Sequence, residues 1–124
     1  MALKDANNGA SWSAWERAVA KREPEALETW RTKLADAIFL QKLLQFEFCR
    51  QWFALKTYAN ERHIQIIGDM PIYVAHDSAD VWAFPENFMI DPETLMPSQM
   101  AGVPPDYFSE TGQLWGNPTY NWEV

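Results

Sequence analysis

The chain has 124 residues, of which 48% are hydrophobic, and a formal net charge of −7. This length suits one ordinary domain and is too short for a complete (β/α)8 barrel, which needs at least about 200 residues. The negative charge disfavours binding to nucleic acid or to an anionic membrane, the apolar content disfavours disorder, and a single cysteine excludes an internal disulfide.

The charges are divided unevenly along the chain. Residues 1–62 contain all ten Lys and Arg with eight Asp and Glu, whereas residues 63–124 contain no Lys or Arg and nine Asp and Glu. The N-terminal residues lack the apolar stretch of a signal peptide, and no run of about 18 apolar residues predicts a transmembrane helix. We therefore expect a cytoplasmic location.

Residues 12–62 are predicted to be helical. Ser13 followed by Glu16 fits a capping box, and Pro24 suits the first turn of a second helix. The apolar residues that follow recur at spacings of three and four, as on one buried helical face: Leu27, Trp30, Leu34 and Ile38.

Apolar residues become dense between Phe39 and Tyr58. They are too many for one narrow stripe, so we expect this helix to be packed against protein on more than one side. Cys49 is expected to be a small buried hydrophobic residue, because neither a helix start nor a basic patch would activate its thiol. Residues 1–62 are thus predicted to form a helical scaffold.

A short buried strand is predicted at His63–Asp69, where β-branched residues precede Gly68 and Asp69. A carboxylate at the end of such a strand is typical of active sites in α/β barrels and open α/β sheets. Asp69 is therefore a candidate functional residue, although it could instead cap the following turn. A short helix is expected next, with Asp77 or Ser78 as its N-cap.

The chain after Phe84 shows neither a helical nor a strand period for about forty residues. Its prolines and glycines indicate loops, whereas its many aromatic residues indicate that these loops are ordered. An acidic, aromatic segment without Lys suits sugars, because aromatic rings stack on sugar C–H faces and carboxylates and amides bond to hydroxyls. A scattered set of carboxylates offers the alternative of a hard-cation site: Asp69, Asp77, Asp80 and Asp91.

Two long segments, Ile66–Trp82 and Ala101–Pro118, closely resemble the 4-alpha-glucanotransferases, also called amylomaltases or disproportionating enzymes, of the alpha-amylase superfamily. The helical residues before Ile66 are similar to the same family, so the resemblance covers nearly the whole chain. It implies the α/β class and a fragment of a (β/α)8 TIM barrel. Residues 1–124 would be part of the catalytic domain, with helical scaffold at 1–62 and one barrel strand plus long irregular groove loops at 63–124.

The resemblance implies an enzyme that transfers α-1,4-glucan segments to the 4-hydroxyl of glucose or another maltodextrin by a retaining mechanism. It implies no cofactor and no metal. Asp69 matches the carboxylate at the end of the third barrel strand, beside the sugar at the cleavage point. Asp106, Tyr107 and Phe108 match a loop over the groove, and a further pair matches positions on the acceptor side: Gln113 and Trp115.

Three features depart from the family pattern. His63 stands where the family usually has Gly before the strand, which affects a turn rather than the chemistry. The Arg-x-Asp-His sequence with the nucleophilic Asp, and the segment with the acid/base Glu, are absent from these residues. We therefore expect a truncated chain that is inactive alone; the alternative is a non-catalytic protein that binds maltodextrin.

Overall fold

Helices dominate the chain up to Asn60 and a two-stranded sheet lies near its end in the computed structural model, which describes residues 1–123. The α-helices of residues 1–123 are α1 (Ala2–Ala6), α2 (Arg17–Ala20), α3 (Pro24–Lys33), α4 (Ala35–Asn60) and α5 (Ala79–Ala83). Two 3₁₀ turns and two strands complete it: Trp12–Ala14, Pro85–Asn87, β1 (Met100–Val103) and β2 (Gln113–Pro118). None of these helices is both long and apolar enough to cross a membrane.

The chain folds as two units, and each is described by itself. The first unit contains residues 1–9 and 23–70, and the second contains residues 10–22 and the chain from Pro71 onward. A short N-terminal segment, residues 10–22, is thus grouped with residues far from it in sequence.

The helical conformation predicted around Leu27 to Ile38 is confirmed, but the single buried helical face is not. Pro24 occupies the first turn of α3, after Glu23 as N-cap. The side chains at Leu27, Trp30, Leu34 and Ile38 are all half-buried. They do not share one helix: Leu27 and Trp30 lie on α3 and Ile38 lies on α4. The backbone at Leu34, between the two helices, leaves the helical conformation (φ −108°, ψ 21°).

Helix α4 does not match the predicted burial. Its apolar side chains are exposed, with Phe39 at 68% and Phe53 at 62%, and Cys49 is exposed as well. The helices against which α4 packs most are α1 and α3, which have 5 and 10 residues against its own 26. Partners so short leave most of its surface uncovered, so the predictions of core packing and of a buried Cys49 are wrong for this chain.

The predicted strand at His63–Asp69 is also not formed. Residues 64–70 are outside any strand and exposed, with Ile67 at 91%. A buried strand needs neighbours that accept and donate its ladder hydrogen bonds, and no described segment pairs with these residues.

The turn between α4 and this segment places His63 in a conformation that favours glycine. The Ile64 N–H donates to the Ala59 carbonyl at 3.0 Å and the His63 N–H to the Asn60 carbonyl at 2.9 Å. These two bonds form a Schellman closure, whose C′ residue adopts a left-handed conformation and is usually glycine. His63 takes that conformation with φ 59°.

The second unit has its own buried core. Its fully packed members come from both parts of the unit: Trp12, Ala20, Val81, Phe88 and Leu95. The indole N–H of Trp12 donates to the His76 carbonyl at 2.6 Å, and that of Trp82 donates to the Val19 carbonyl at 3.2 Å. Residues 10–22 are therefore held against the rest of this unit by packing and by hydrogen bonds.

This packing explains why the capping box is wrong. Ser13 lies inside a 3₁₀ turn, where its hydroxyl is 3.2 Å from that of Ser11, and Glu16 precedes α2 as its N-cap without a side-chain bond. Burial of Trp12, which is 2% exposed, favours this turn over a longer helix. In contrast, the short helix predicted after the His63–Asp69 segment is confirmed as α5. The Ser78 hydroxyl caps it by accepting from the Val81 N–H.

Strands β1 and β2 pair in antiparallel fashion, with Val103 opposite Gln113. The prediction that the segment after Phe84 is structurally ordered is confirmed by this pairing. The expectation that the segment contains only irregular loops is wrong. The strands have only four and six residues, and the register is irregular between Met100 and Gly102. This irregularity hides the period of two that would identify them in the sequence.

Candidate functional site

The connection between β1 and β2, residues 104–112, is folded by the side chain of Asp106. Its Oδ1 accepts from the backbone N–H groups of Phe108 (2.9 Å) and Ser109 (2.8 Å). The Asp106 N–H donates to the Ser109 carbonyl at 2.9 Å, and the Ser109 hydroxyl donates to the Gly112 carbonyl at 2.7 Å. Asp106 therefore shapes this loop while its second carboxylate oxygen can accept from a hydroxyl group.

Two aromatic side chains extend from the turn that Asp106 organises. Tyr107 is 97% exposed and Phe108 is 89% exposed. Their rings meet edge to face, with centroids 5.6 Å apart and an interplanar angle of 88°. Exposed rings in a turn fixed by several hydrogen bonds provide an apolar surface for a ligand that has C–H faces.

Gln113 and Trp115 lie on β2, where residues two apart point to the same face of a strand. The indole N–H of Trp115 donates to the Gln113 amide oxygen at 3.1 Å. Trp115 is 49% exposed. Because its polar edge is already bonded, the part of Trp115 left to a ligand is mainly ring surface.

Trp115 also contacts an aromatic group that the sequence reasoning missed. The ring centroid of Tyr73 is 6.1 Å from that of Trp115, with an interplanar angle of 65°, and Tyr73 also stacks on Tyr120 at 6.5 Å and 18°. Tyr120 in turn packs on the buried Phe88 at 5.1 Å. Tyr73 belongs to the Ile66–Trp82 segment that resembles the family, so this resemblance was the available signal.

Five of the six residues predicted for the site lie on one hairpin of the second unit: Asp106, Tyr107, Phe108, Gln113 and Trp115. Asp69 belongs to the first unit, where it is an exposed residue after Gly68. The hairpin and its loop carry acidic side chains and no Lys or Arg. This charge suits a neutral hydroxylated ligand better than an anionic one.

The alternative of a cation site finds no support among the described residues, where no three metal-ligating side chains converge. Asp91 is occupied by its own turn: its Oδ1 accepts from the Thr94 N–H (2.6 Å), the Thr94 hydroxyl (3.0 Å) and the Glu93 N–H (2.9 Å). These bonds, those from Thr94 above all, hold the pKa of Asp91 below its ordinary value. The carboxylate is thus a local structural element.

Comparison with known proteins covers the whole chain. A family model described as 4-alpha-glucanotransferase matches residues 1–124. The chain is 62% identical over 124 residues to a 4-alpha-glucanotransferase of Synechocystis sp. and 53% identical over 124 residues to one of Thermus thermophilus. In both cases all of this chain is covered, and it spans 25% of the relative's length.

A solved structure agrees with the sequence matches. Amylomaltase from Streptococcus agalactiae, in complex with acarbose, superimposes with a TM-score of 0.94 at 49% identity, covering 99% of this chain and 25% of that one. The chain thus spans about a quarter of the length of the relatives that it matches. On the match over all 124 residues, the chain belongs to the 4-alpha-glucanotransferase family.

Proposed function

We propose that this chain supplies part of the sugar groove of a 4-alpha-glucanotransferase. The reaction proposed is transfer of an α-1,4-glucan segment to the 4-hydroxyl of glucose or of another maltodextrin. The observation that carries the proposal is the placement of Asp106, Tyr107, Phe108, Gln113 and Trp115 on one hairpin without Lys or Arg. The similar amylomaltase that is a complex with acarbose supports it.

The proposed chemistry is a retaining transfer. It needs two carboxyl groups about 5–5.5 Å apart, one as nucleophile and one as acid and base. In our proposal both come from outside these 124 residues, which lack the Arg-x-Asp-His sequence. Tyr107 and Phe108 would exclude water, so that a sugar acceptor intercepts the covalent intermediate.

The proposed fold of the whole protein is a (β/α)8 barrel in which residues 1–124 are part of the catalytic domain. In that setting His63–Asp69 would gain neighbouring strands and become the third barrel strand. Its buried neighbours would replace the solvent that now surrounds Ile67, and Asp69 would lie at the end of the strand beside the sugar ring. We also propose a cytoplasmic location and no cofactor.

Incubation with maltotriose tests the proposal that both reacting carboxyl groups lie outside these 124 residues. The pure 124-residue chain is expected to release no glucose and to form no longer maltodextrins, because both reacting carboxyl groups are proposed to lie elsewhere. The full-length Synechocystis relative, under the same conditions, is the positive control. Clear disproportionation by the pure chain would contradict the proposal.

Maltodextrin binding without catalysis is a second candidate function, favoured by the exposure of Tyr107, Phe108 and Trp115. Titration with maltoheptaose is expected to give a saturable change in tryptophan fluorescence that Trp115→Ala removes. Trp52→Ala, on α4 of the first unit, is the matched control and should retain the change. No saturable change in the unaltered chain would reject this second function.

A further inference from the structure

Trp115 is the half-exposed aromatic surface of the proposed sugar site, and its orientation depends on what lies behind it. The bond to Gln113 restrains one edge of the indole, but a single hydrogen bond of 3.1 Å allows the ring to rotate about it. A second contact, from Tyr73, meets the same indole at 6.1 Å and 65°. The hydrogen bond and the ring contact together restrain the plane of the indole more than the hydrogen bond does alone.

The contact from Tyr73 is itself anchored in the core of the second unit. Tyr73 is half-buried and stacks on Tyr120, which packs on Phe88, a core residue that is 7% exposed. An independent bond joins the two segments, because the Asn117 side-chain N–H donates to the Val74 carbonyl at 2.9 Å. The segment that carries Tyr73 and the strand that carries Trp115 are therefore held in register.

We propose that Tyr73 is a positioning residue that sets the plane of the Trp115 indole for stacking against a glucose ring. This inference rests on the proposed function for its ligand, while the ring contact itself does not. Tyr73 acts through the face and edge of its ring, since edge-to-face pairs gain energy from their geometry as well as from buried area. The phenolic hydroxyl has no part in the proposed effect, and phenylalanine should therefore replace tyrosine.

Fluorine NMR of the chain labelled with fluorotryptophan tests the positioning. The chain has seven tryptophans, and Trp115→Phe identifies the signal of Trp115 by its loss. Tyr73→Leu is expected to move this signal towards the position of a solvent-exposed indole, and Tyr73→Phe to leave it in place. Tyr58→Leu makes the same change on α4 of the first unit and is the matched control.

Maltoheptaose titration of the same variants tests the consequence for binding. Tyr73→Leu should weaken binding by up to about tenfold, because it removes the aromatic contact that orients the Trp115 indole. Tyr73→Phe should bind as tightly as the unaltered chain. If the unaltered chain binds no maltoheptaose, the sugar proposal fails, and the fluorine signal still decides the positioning.

An unchanged Trp115 signal in folded Tyr73→Leu, or unchanged affinity when the signal moves, would overturn the inference. If Tyr73→Leu unfolds, the unaltered chain provides the test instead. In the unaltered chain, nuclear Overhauser contacts are expected between the Tyr73 ring protons and the Trp115 indole. Their absence would overturn the inference that Tyr73 positions Trp115.

Discussion

At the residue scale, His63 shows how one side chain can occupy a position that usually requires glycine. Its φ of 59° is set by the Schellman closure of α4, in which Ile64 and His63 donate to carbonyls of the last helical turn. A residue with a Cβ pays for this conformation with about 1–2 kcal/mol of steric repulsion. The helix still ends here, because the closing bonds satisfy carbonyls that would otherwise lack a partner.

We expect His63→Gly to stabilise the chain by up to about 1 kcal/mol, because glycine adopts this φ without the steric cost. The change in the free energy of unfolding is measured by urea denaturation. Glu61→Gly is the matched control: it lies two residues earlier with a helical φ of −60°. There glycine should destabilise by roughly 0.5–1 kcal/mol, and stabilisation by both variants would contradict this explanation.

At the scale of the element, the hairpin depends on a close approach between the two ends of its connecting loop. Gly112 ends the connecting loop with φ 75°, and a Cβ on it would meet the backbone of Pro104 at 3.0 Å and that of Pro105 at 3.1 Å. Backbone atoms cannot move aside as a flexible side chain does. The position of Tyr107 and Phe108 in the loop therefore depends on the absence of a side chain at Gly112.

We expect Gly112→Ala to destabilise the hairpin by about 2–4 kcal/mol, combining the strain of a positive φ with overpacking. Gly116→Ala is the matched control, since Gly116 has a similar φ of 77° but nothing within 4 Å of its added Cβ. It should cost about 1–2 kcal/mol, from backbone strain alone. Hydrogen exchange of the β1 and β2 amides measures the destabilisation of the hairpin in both variants. Equal losses of protection would reject the role of backbone crowding at Gly112.

At the scale of the whole molecule, the two units differ in how much they bury. Most large apolar side chains of α4 in the first unit are exposed, whereas the second unit surrounds Trp12, Val81 and Phe88. The N-terminal segment 10–22 contributes to that second core across more than 60 residues of sequence. The hairpin of the proposed sugar site therefore belongs to a unit that depends on residues 10–22.

Trp12→Ala is expected to destabilise the second unit by about 3–5 kcal/mol, because it removes a buried indole and its bond to the His76 carbonyl. Trp122→Ala removes the same side chain from a site that is 87% exposed and should cost well under half as much. Urea denaturation compares the free energies of unfolding of the two variants. Hydrogen exchange of the hairpin amides, in a separate measurement, compares the protection of the hairpin. Equal effects would show that segment 10–22 does not support this core.

Local patterns in the sequence determined several features. Pro24 and Ser78 begin helices because a missing N–H or a capping hydroxyl acts within one turn. The half-buried positions of Leu27 and Trp30 follow the helical period within α3, and the family follows from a resemblance along nearly the whole chain. These are properties of neighbouring residues or of long matched segments, and they need no knowledge of distant contacts.

Only the tertiary structure decided which patterns are realised. Residues 63–69 have the composition of a buried strand, yet a strand forms only where another segment completes its hydrogen bonds, and none of the described residues does so. Phe39 and Phe53 stay exposed on α4 for a related reason, because the short helices α1 and α3 leave most of its surface uncovered. Conversely, the contact of Tyr73 with Trp115 joins residues 42 positions apart and follows no local period, so packing alone reveals it.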